Sequence, residues 1–289
     1  MNDGDTGDNS NNREIDVPNT AFFFDFDGTL AAIVDDPEQV SVSAAVLGAL
    51  GNLYEISGGA LAIVSGRPIA ALDRFLAPLT LPLSGVHGLE SRDAAGQVQR
   101  GNYDRAALRQ VTDRITAYAK NLSGLVVEEK PGSVALHYRQ APDLGNSAQQ
   151  LASKLAAAIP GVRLMRGKMV VELRLGGRSK GDAVSDFMAA APFRGRKPLF
   201  AGDDVTDEDA FSLVENMSGT GIKIGREETT ASFMAPDRDA FEQWLCELAA
   251  VPITGAKQPM LGGQIQRARR RSATGQYDLA AAAAATTGA

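Results

Sequence analysis

The run Phe22-Phe23-Phe24-Asp25-Phe26-Asp27-Gly28-Thr29 constrains the fold more than any other stretch of this chain. Consecutive aromatic residues, too few for a helix and closed by a glycine turn, describe a strand buried on both faces. Such strands belong to parallel sheets covered by helices on either side. Side chains alternate along a strand, so Asp25 and Asp27 leave its carboxyl end on one side. In open α/β sheets, ligands bind beyond that end. Two carboxylates with no basic residue beside them repel each other. A hard divalent cation such as Mg2+ relieves that repulsion through oxygen ligands. Gly28 and Thr29 add a tight turn and a hydroxyl that suit phosphate.

The alternation continues downstream. Residues 44–56 place Val46, Leu47, Leu50, Leu53 and Tyr54 on one helical stripe, which Gly58-Gly59 ends. Residues 60–64 form a second apolar strand. Ser65-Gly66-Arg67-Pro68 follows, its proline suited to the first turn of a helix. Ser65 therefore falls on the same sheet edge as Asp25, since strand–helix–strand units give parallel sheets with right-handed crossovers. Leu89–Arg92 and Gln97–Arg100 flank Asp93–Gly96 as a hairpin.

From Asp104 the texture changes. A helix carries Leu108, Val111, Ile115, Tyr118 and Leu122; strands follow at 125–130 and 134–140. A helix at 147–159 and strands at 162–166 and 168–175 come next. This order reads as an inserted α+β unit. With period two, Glu128 and Lys130 share a face, as do His137 and Arg139, and as do Lys168, Glu172 and Arg174. The apolar residues between them face the helices. A solvated sheet face has the same pattern; these groups also suit the many hydroxyls of a sugar, and His137 fits either reading.

The α/β pattern resumes after Gly176-Gly177. Lys180 lies in the first turn of a helix starting near Ser179. The helix dipole disfavours a cation there unless an anion shares the site, the alternative being an ordinary surface lysine. Residues 198–207 repeat the opening logic, an apolar strand ending in Asp203, Asp204 and Asp207. A strand at 220–224 and a helix at 237–249 close the pattern. Residues 1–18 are polar and read as a disordered tail. Residues 251–289, with four arginines in 267–271 and alanine throughout 280–285, read as a flexible, solvated one.

Composition narrows the partners. A net charge of −6 argues against nucleic acid, and the single Cys246 excludes an internal disulfide or a cysteine-rich zinc site. No apolar stretch reaches membrane length and no signal peptide is visible, so a cytoplasmic protein is expected.

These residues resemble a known superfamily. Asp25-Phe26-Asp27-Gly28-Thr29, Ser65-Gly66, Lys180 and Gly202-Asp203-Asp204 with Asp207 are similar, in order, to the four motifs of the haloacid dehalogenase-like (HAD-like) phosphotransferases. The longer strings FDFDGTLAAIVDDP, AIVSGRP, GVHGLE, KPGSVALHYR, GKMVVELR, SKGDA and FAGDDVTDEDAF resemble the trehalose-6-phosphate phosphatase family. Ala32, Leu89 and Leu175 depart from that family's usual residues. The resemblance implies an α/β protein. A Rossmann-like parallel-sheet core would occupy 19–103 and 176–250, and an inserted α+β cap 104–175.

It also implies hydrolysis of trehalose 6-phosphate. Asp25 would be the nucleophile and Asp27 the acid and base. Asp25, the Asp27 backbone carbonyl and Asp203 would hold Mg2+, with Asp204 and Asp207 orienting groups behind them. Thr29, Ser65 and Lys180 would hold the phosphoryl group, beside Gly66 and Arg67. Glu128, Lys130, His137, Arg139, Lys168 and Glu172 would face the sugar. The expected partner is this small molecule, with no nucleic acid or membrane, and the expected state is a monomer. Rival readings are a phosphatase of another sugar phosphate and an idle sugar-phosphate sensor.

Overall fold

The computed structural model describes residues 13–34, 36–167, 169–176, 178–250, 260–261 and 264–268. In chain order the first elements are β1 (Arg13–Glu14), β2 (Thr20–Phe24), α1 (Ala44–Ile56), β3 (Leu61–Val64), α2 (Ile69–Leu76), β4 (Leu83–Gly85), β5 (Glu90–Arg92) and β6 (Val98–Arg100). Then come α3 (Arg105–Ala119), β7 (Val126–Lys130), β8 (Ser133–His137), α4 (Gly145–Ala158), β9 (Val162–Gly167) and β10 (Val170–Leu175). The chain continues with α5 (Lys180–Met188), β11 (Lys197–Gly202), α6 (Glu208–Asn216), β12 (Thr220–Ile224), β13 (Phe233–Ala235), α7 (Arg238–Ala249), β14 (Met260–Leu261) and β15 (Gln266–Arg267).

The larger sheet runs β15-β13-β12-β11-β2-β3-β4-β5-β6. Its middle, from β13 to β4, is parallel, and antiparallel strands close both edges. The aromatic strand β2 sits at its centre because both faces are buried. Phe22 and Phe24 pack with Leu50, Leu53, Phe241 and Trp244 on the α1/α7 side. Phe23 packs with Phe187, Phe193 and Phe211 on the α5/α6 side. Helix, sheet and helix thus form three layers. The chain leaves β2 toward β3 and β4 on one flank and returns at β11 to build the other. The switch of direction lies between β2 and β11, where such sheets open a crevice beyond their carboxyl ends.

The second sheet is four-stranded and antiparallel, in the order β7-β8-β10-β9. Helices α3 and α4 cover one face, where Val111, Ile115, Ala152, Val134, Leu136, Val171 and Leu173 form a separate apolar cluster. Register places Glu128 and Glu172 on either side of Ala135, and Lys130 and Arg174 on either side of Ser133. The uncovered face is therefore polar, as the period-two pattern requires.

Three boundaries differ from the sequence reading. Residues 13–18 belong to the fold: β1 pairs with β14, and Ile15 and Val17 are buried. These two apolar residues override the polar composition of the stretch around them. Of residues 251–289, those described include β14 and β15, which pair with β1 and β13; the rest of the arginine run after Ala268 and the alanine run lie outside the described residues. Arg139 follows β8 rather than lying in it, because that strand ends at His137. Among the described residues no helix is long and apolar enough to cross a membrane.

Candidate active site

Parallel pairing sets the site. In register, Phe24 lies between Ala201 of β11 and Ile63 of β3, so the residues that follow these strands leave the sheet together. Asp25 follows β2, Ser65 follows β3, and Asp203 follows β11. The Asp25 amide donates to the Ala201 carbonyl at 2.9 Å, which fixes the first of them at the strand end.

One carboxylate oxygen from each of Asp25, Asp203 and Asp207 lies within 4.8 Å of the others. Lys180 Nζ reaches into this group, donating to Asp25 Oδ1 at 2.6 Å and to Asp207 Oδ1 at 2.7 Å. Lys180 is 3% exposed and Asp207 is fully buried, so these are charges held out of water. The lysine is carried there by α5, whose first turn is fixed by a capping box between Ser179 and Asp182. Burial works against its ammonium, but Asp207 and Asp25 outweigh it and hold its pKa above the usual lysine value.

The pKa values of Asp25 and Asp203 also rise, here because burial disfavours the charged carboxylate. Burial pushes Asp25 well above the usual range; Lys180 pulls it back, while Asp207 and Asp203 push it further up. Burial, reinforced by Asp207, pushes Asp203 up to about 7. Asp203 Oδ1 is buried and has no hydrogen-bond partner among the described residues. Three crowded carboxylates, one lysine and an unpartnered oxygen fit a hard divalent cation, which takes oxygen ligands and offsets the surplus negative charge. Asp207 differs from the other two, because Lys180 occupies one of its oxygens and the Asp204 amide donates to the other at 2.9 Å.

The turn after β2 is built around this group. Gly28 has φ +85°, and a Cβ there would stand 2.1 Å from Asp203 Oδ2, so glycine alone lets the turn close on the carboxylate. Thr29 is buried and its hydroxyl lies 3.5 Å from Asp25 Oδ2. Ser65 is buried at the neighbouring strand end, its hydroxyl accepting from the Arg67 amide at 3.1 Å. Gly66 lies in the same turn.

Asp27 stands apart from the three clustered acids. Both of its oxygens accept from Arg67, whose Nε and Nη2 donate at 2.7 Å each. The guanidinium also lies over the rings of Phe26 and Phe75. This fork was not read from the sequence. The signal for it was a lone arginine leaving the strand next to an acidic one.

The polar face of the second sheet carries its own network. His137 Nε2 and Glu128 Oε2 are 2.9 Å apart, and Lys130 Nζ lies 3.3 Å from the same oxygen. Burial raises the Glu128 carboxyl, but the His137 hydrogen bond and Lys130 outweigh it and lower its pKa. Ser133 donates to Glu172 Oε1 at 2.6 Å. Arg139 is half-buried just beyond β8. Lys168 lies outside the described residues. A cavity of about 180 Å³ joins this sheet to the core, lined among others by Arg163, Met165, Arg174, Arg178, Lys180 and Thr206. Of these six, Lys180 was a candidate from sequence and Arg174 was read only as part of the polar sheet face; the other four were not singled out. The strand partners of Arg163 and Met165 depend on the register of β9 against β10, which no sequence pattern specified.

The arrangement can hold a tetrahedral anion between a lysine, hydroxyls and a cation-binding acid group, and it can present one carboxylate to attack. Comparisons with known proteins agree with that chemistry. The trehalose-6-phosphate phosphatase of Escherichia coli strain K12 is 38% identical over 258 residues, covering 89% of this chain and 92% of that protein. A probable trehalose-phosphate phosphatase of Sinorhizobium fredii is 38% identical over 211 residues, 73% of this chain and 79% of that one. In fold, the C-terminal domain of Candida albicans trehalose-6-phosphate phosphatase superposes with a TM-score of 0.74 at 23% identity, covering 83% of this chain and 99% of that one. The family model described as trehalose-phosphatase matches residues 23–239, three quarters of the sequence, and the chain belongs to that family.

Proposed function

We propose that this protein hydrolyses trehalose 6-phosphate to trehalose and inorganic phosphate through an aspartyl-phosphate. The observation that carries the reading is the convergence of Asp25, Asp203, Asp207 and Lys180 at the switch point of the sheet, with Asp25, Asp207 and Lys180 buried, in a chain of this family. Asp25 attacks phosphorus. Its P–O bond forms as the bond to the sugar oxygen breaks, and Asp27, freed from its fork with Arg67 and protonated from solvent before the step, gives that oxygen its proton. Asp27 then takes a proton from water, the water oxygen attacks phosphorus, and the carboxylate of Asp25 leaves.

A nucleophilic Asp25 must be ionised. The 2.6 Å hydrogen bond from Lys180 favours that form, whereas Asp203 and Asp207 oppose it. Asp25, Asp203 and the Asp27 backbone carbonyl would hold Mg2+, which when bound offsets this repulsion and draws charge from the phosphoryl oxygens. Asp204 and Asp207 stand behind, Asp207 holding Lys180 in place. Thr29, Ser65 and Lys180 bind the phosphoryl oxygens and stabilise their charge in the transition state. The 104–175 unit acts as a cap whose polar face, with Glu128, Lys130, His137, Arg139, Lys168 and Glu172, takes the disaccharide hydroxyls and excludes water.

The test is release of phosphate from trehalose 6-phosphate with Mg2+ and with EDTA, set against a panel of other sugar phosphates. Mg2+-dependent release fastest from trehalose 6-phosphate is expected. Faster release from another sugar phosphate would reassign the substrate, and no release from any would leave a binding protein.

A further inference from the structure

Leu89 lies outside the reacting groups, between β4 and β5, and is 8% exposed. Glycines from three separate segments surround it. A Cβ at Gly132, in the β7–β8 turn, would stand 2.2 Å from Leu89 Cδ1. One at Gly176, on the segment leading back to the core, would stand 3.2 Å from Cδ2, and one at Gly101, on the outgoing segment, 3.3 Å from Cδ2. Backbone bonds tie these pieces together. The Gly101 amide donates to the Leu89 carbonyl at 2.7 Å, and the Leu175 amide to the Gly132 carbonyl at 2.7 Å. A core side chain thus plugs a socket formed by both crossings and the base of the four-stranded unit.

The segment that presents Leu89 is anchored to the catalytic loop. The Val86 amide donates to the Arg67 carbonyl at 3.1 Å, and the Ile69 amide to the buried Glu90 carboxylate at 3.0 Å. A Cβ at Gly85 would stand 2.8 Å from the Arg67 carbonyl oxygen. Val86 has φ +48°, a left-handed conformation that costs a β-branched residue energy and persists only where surrounding structure imposes it. Arg67 in turn grips both oxygens of Asp27.

We infer that Leu89 is a positioning residue. Its fit in the glycine socket sets the angle of the four-stranded unit over Asp25, and residues 85–90 pass that setting to Arg67 and Asp27. The inference rests on the proposed phosphatase activity, and its test separates the two.

Leu89→Ala is compared with wild type on trehalose 6-phosphate and on p-nitrophenyl phosphate, whose small leaving group makes no use of the sugar face and needs no proton. The expected loss of kcat/KM on the sugar phosphate is about tenfold or more, mostly in kcat, since slight misplacement of a bound substrate is costly. The loss on the small ester is smaller, and Leu89→Met recovers most of the sugar-phosphate activity. Gly132→Ala loses more in the wild-type background than in the Leu89→Ala background, because the added methyl then has room. Its left-handed backbone strain is common to both arms and cancels. If Leu89→Ala does not fold, Gly101→Ala crowds the same side chain from the other side and is expected to show the same substrate-dependent loss. Equal losses on both substrates, or additive effects in the Leu89/Gly132 pair, overturn the inference and leave the proposed function intact. Wild-type protein inert toward trehalose 6-phosphate overturns both.

Discussion

The two polar surfaces of this molecule are built to opposite specifications. At the carboxyl edge of the parallel sheet, Asp25, Asp207 and Lys180 are at most 5% exposed and joined by hydrogen bonds of 2.6 and 2.7 Å. On the open face of the four-stranded sheet, Glu128 and His137 are about a third exposed, and their pairing lies where water screens it. Buried charges are expensive and hold one geometry, which suits a step whose charges develop at fixed atoms. A wetter face can exchange its partners for hydroxyls at little cost, which suits recognition of a sugar. Under the proposed function the difference teaches that chemistry and selectivity fall on separate sheets, and variants can separate them.

The largest effect is expected from Asp25→Asn, which keeps the size of the proposed nucleophile and removes its charge. Turnover of every phosphate ester should fall by orders of magnitude while circular dichroism and melting stay native-like; retained turnover would break the assignment of the buried group to chemistry. Lys180→Met comes next. It leaves Asp25 and Asp207 buried without their cation, and should cost about 3 kcal/mol of stability in chemical denaturation as well as about a hundredfold in kcat.

Glu172→Ala sharpens the comparison from the other side. Removing one charged hydrogen-bonding group from the open face should cost about tenfold or more in kcat/KM on trehalose 6-phosphate, with little change on p-nitrophenyl phosphate. Equal losses would merge the two surfaces into one function.

The smallest effect concerns pH. Asp203 is raised from 3.8 to about 7, so its protonated form is favoured on folding. That contribution is fully present below the ordinary carboxylate value and is lost as pH rises through about 7. In EDTA the melting temperature should therefore fall by several degrees across that window. Asp203→Asn should flatten the fall, and added Mg2+ should stabilise wild type more above pH 7 than below it. A flat profile in EDTA would count against a strained acid group.

Much of this was legible in the chain itself. Continuous apolar runs such as Phe22–Phe24 and Leu199–Ala201 announce strands with two buried faces, and their terminal acids announce the edge where ligands bind. Asp207 shows where such reading stops. Its spacing from Asp203 placed it nearby, but a 3-10 turn at Val205–Asp207 swings it back to share Lys180 with Asp25. A short turn of this kind leaves no periodic signature. The strand Phe233–Ala235 and the helix Glu208–Asn216 were likewise too short, or too close to the acidic motif, to stand out. The grip of Arg67 on Asp27 is a contact between two loops, fixed by strand order rather than by either loop's own sequence.

The pairing of Arg13–Glu14 with Met260–Leu261 works as a seam between stretches from opposite ends of the sequence. A truncation beginning at Thr20 would keep every side chain proposed to bind phosphate, yet it would strip Ile15 and Val17 from beside α1 and unfasten Leu261. Part of this enzyme's resistance to unfolding is therefore lodged in segments that do no chemistry, and trimming for convenience would remove it without touching a catalytic atom.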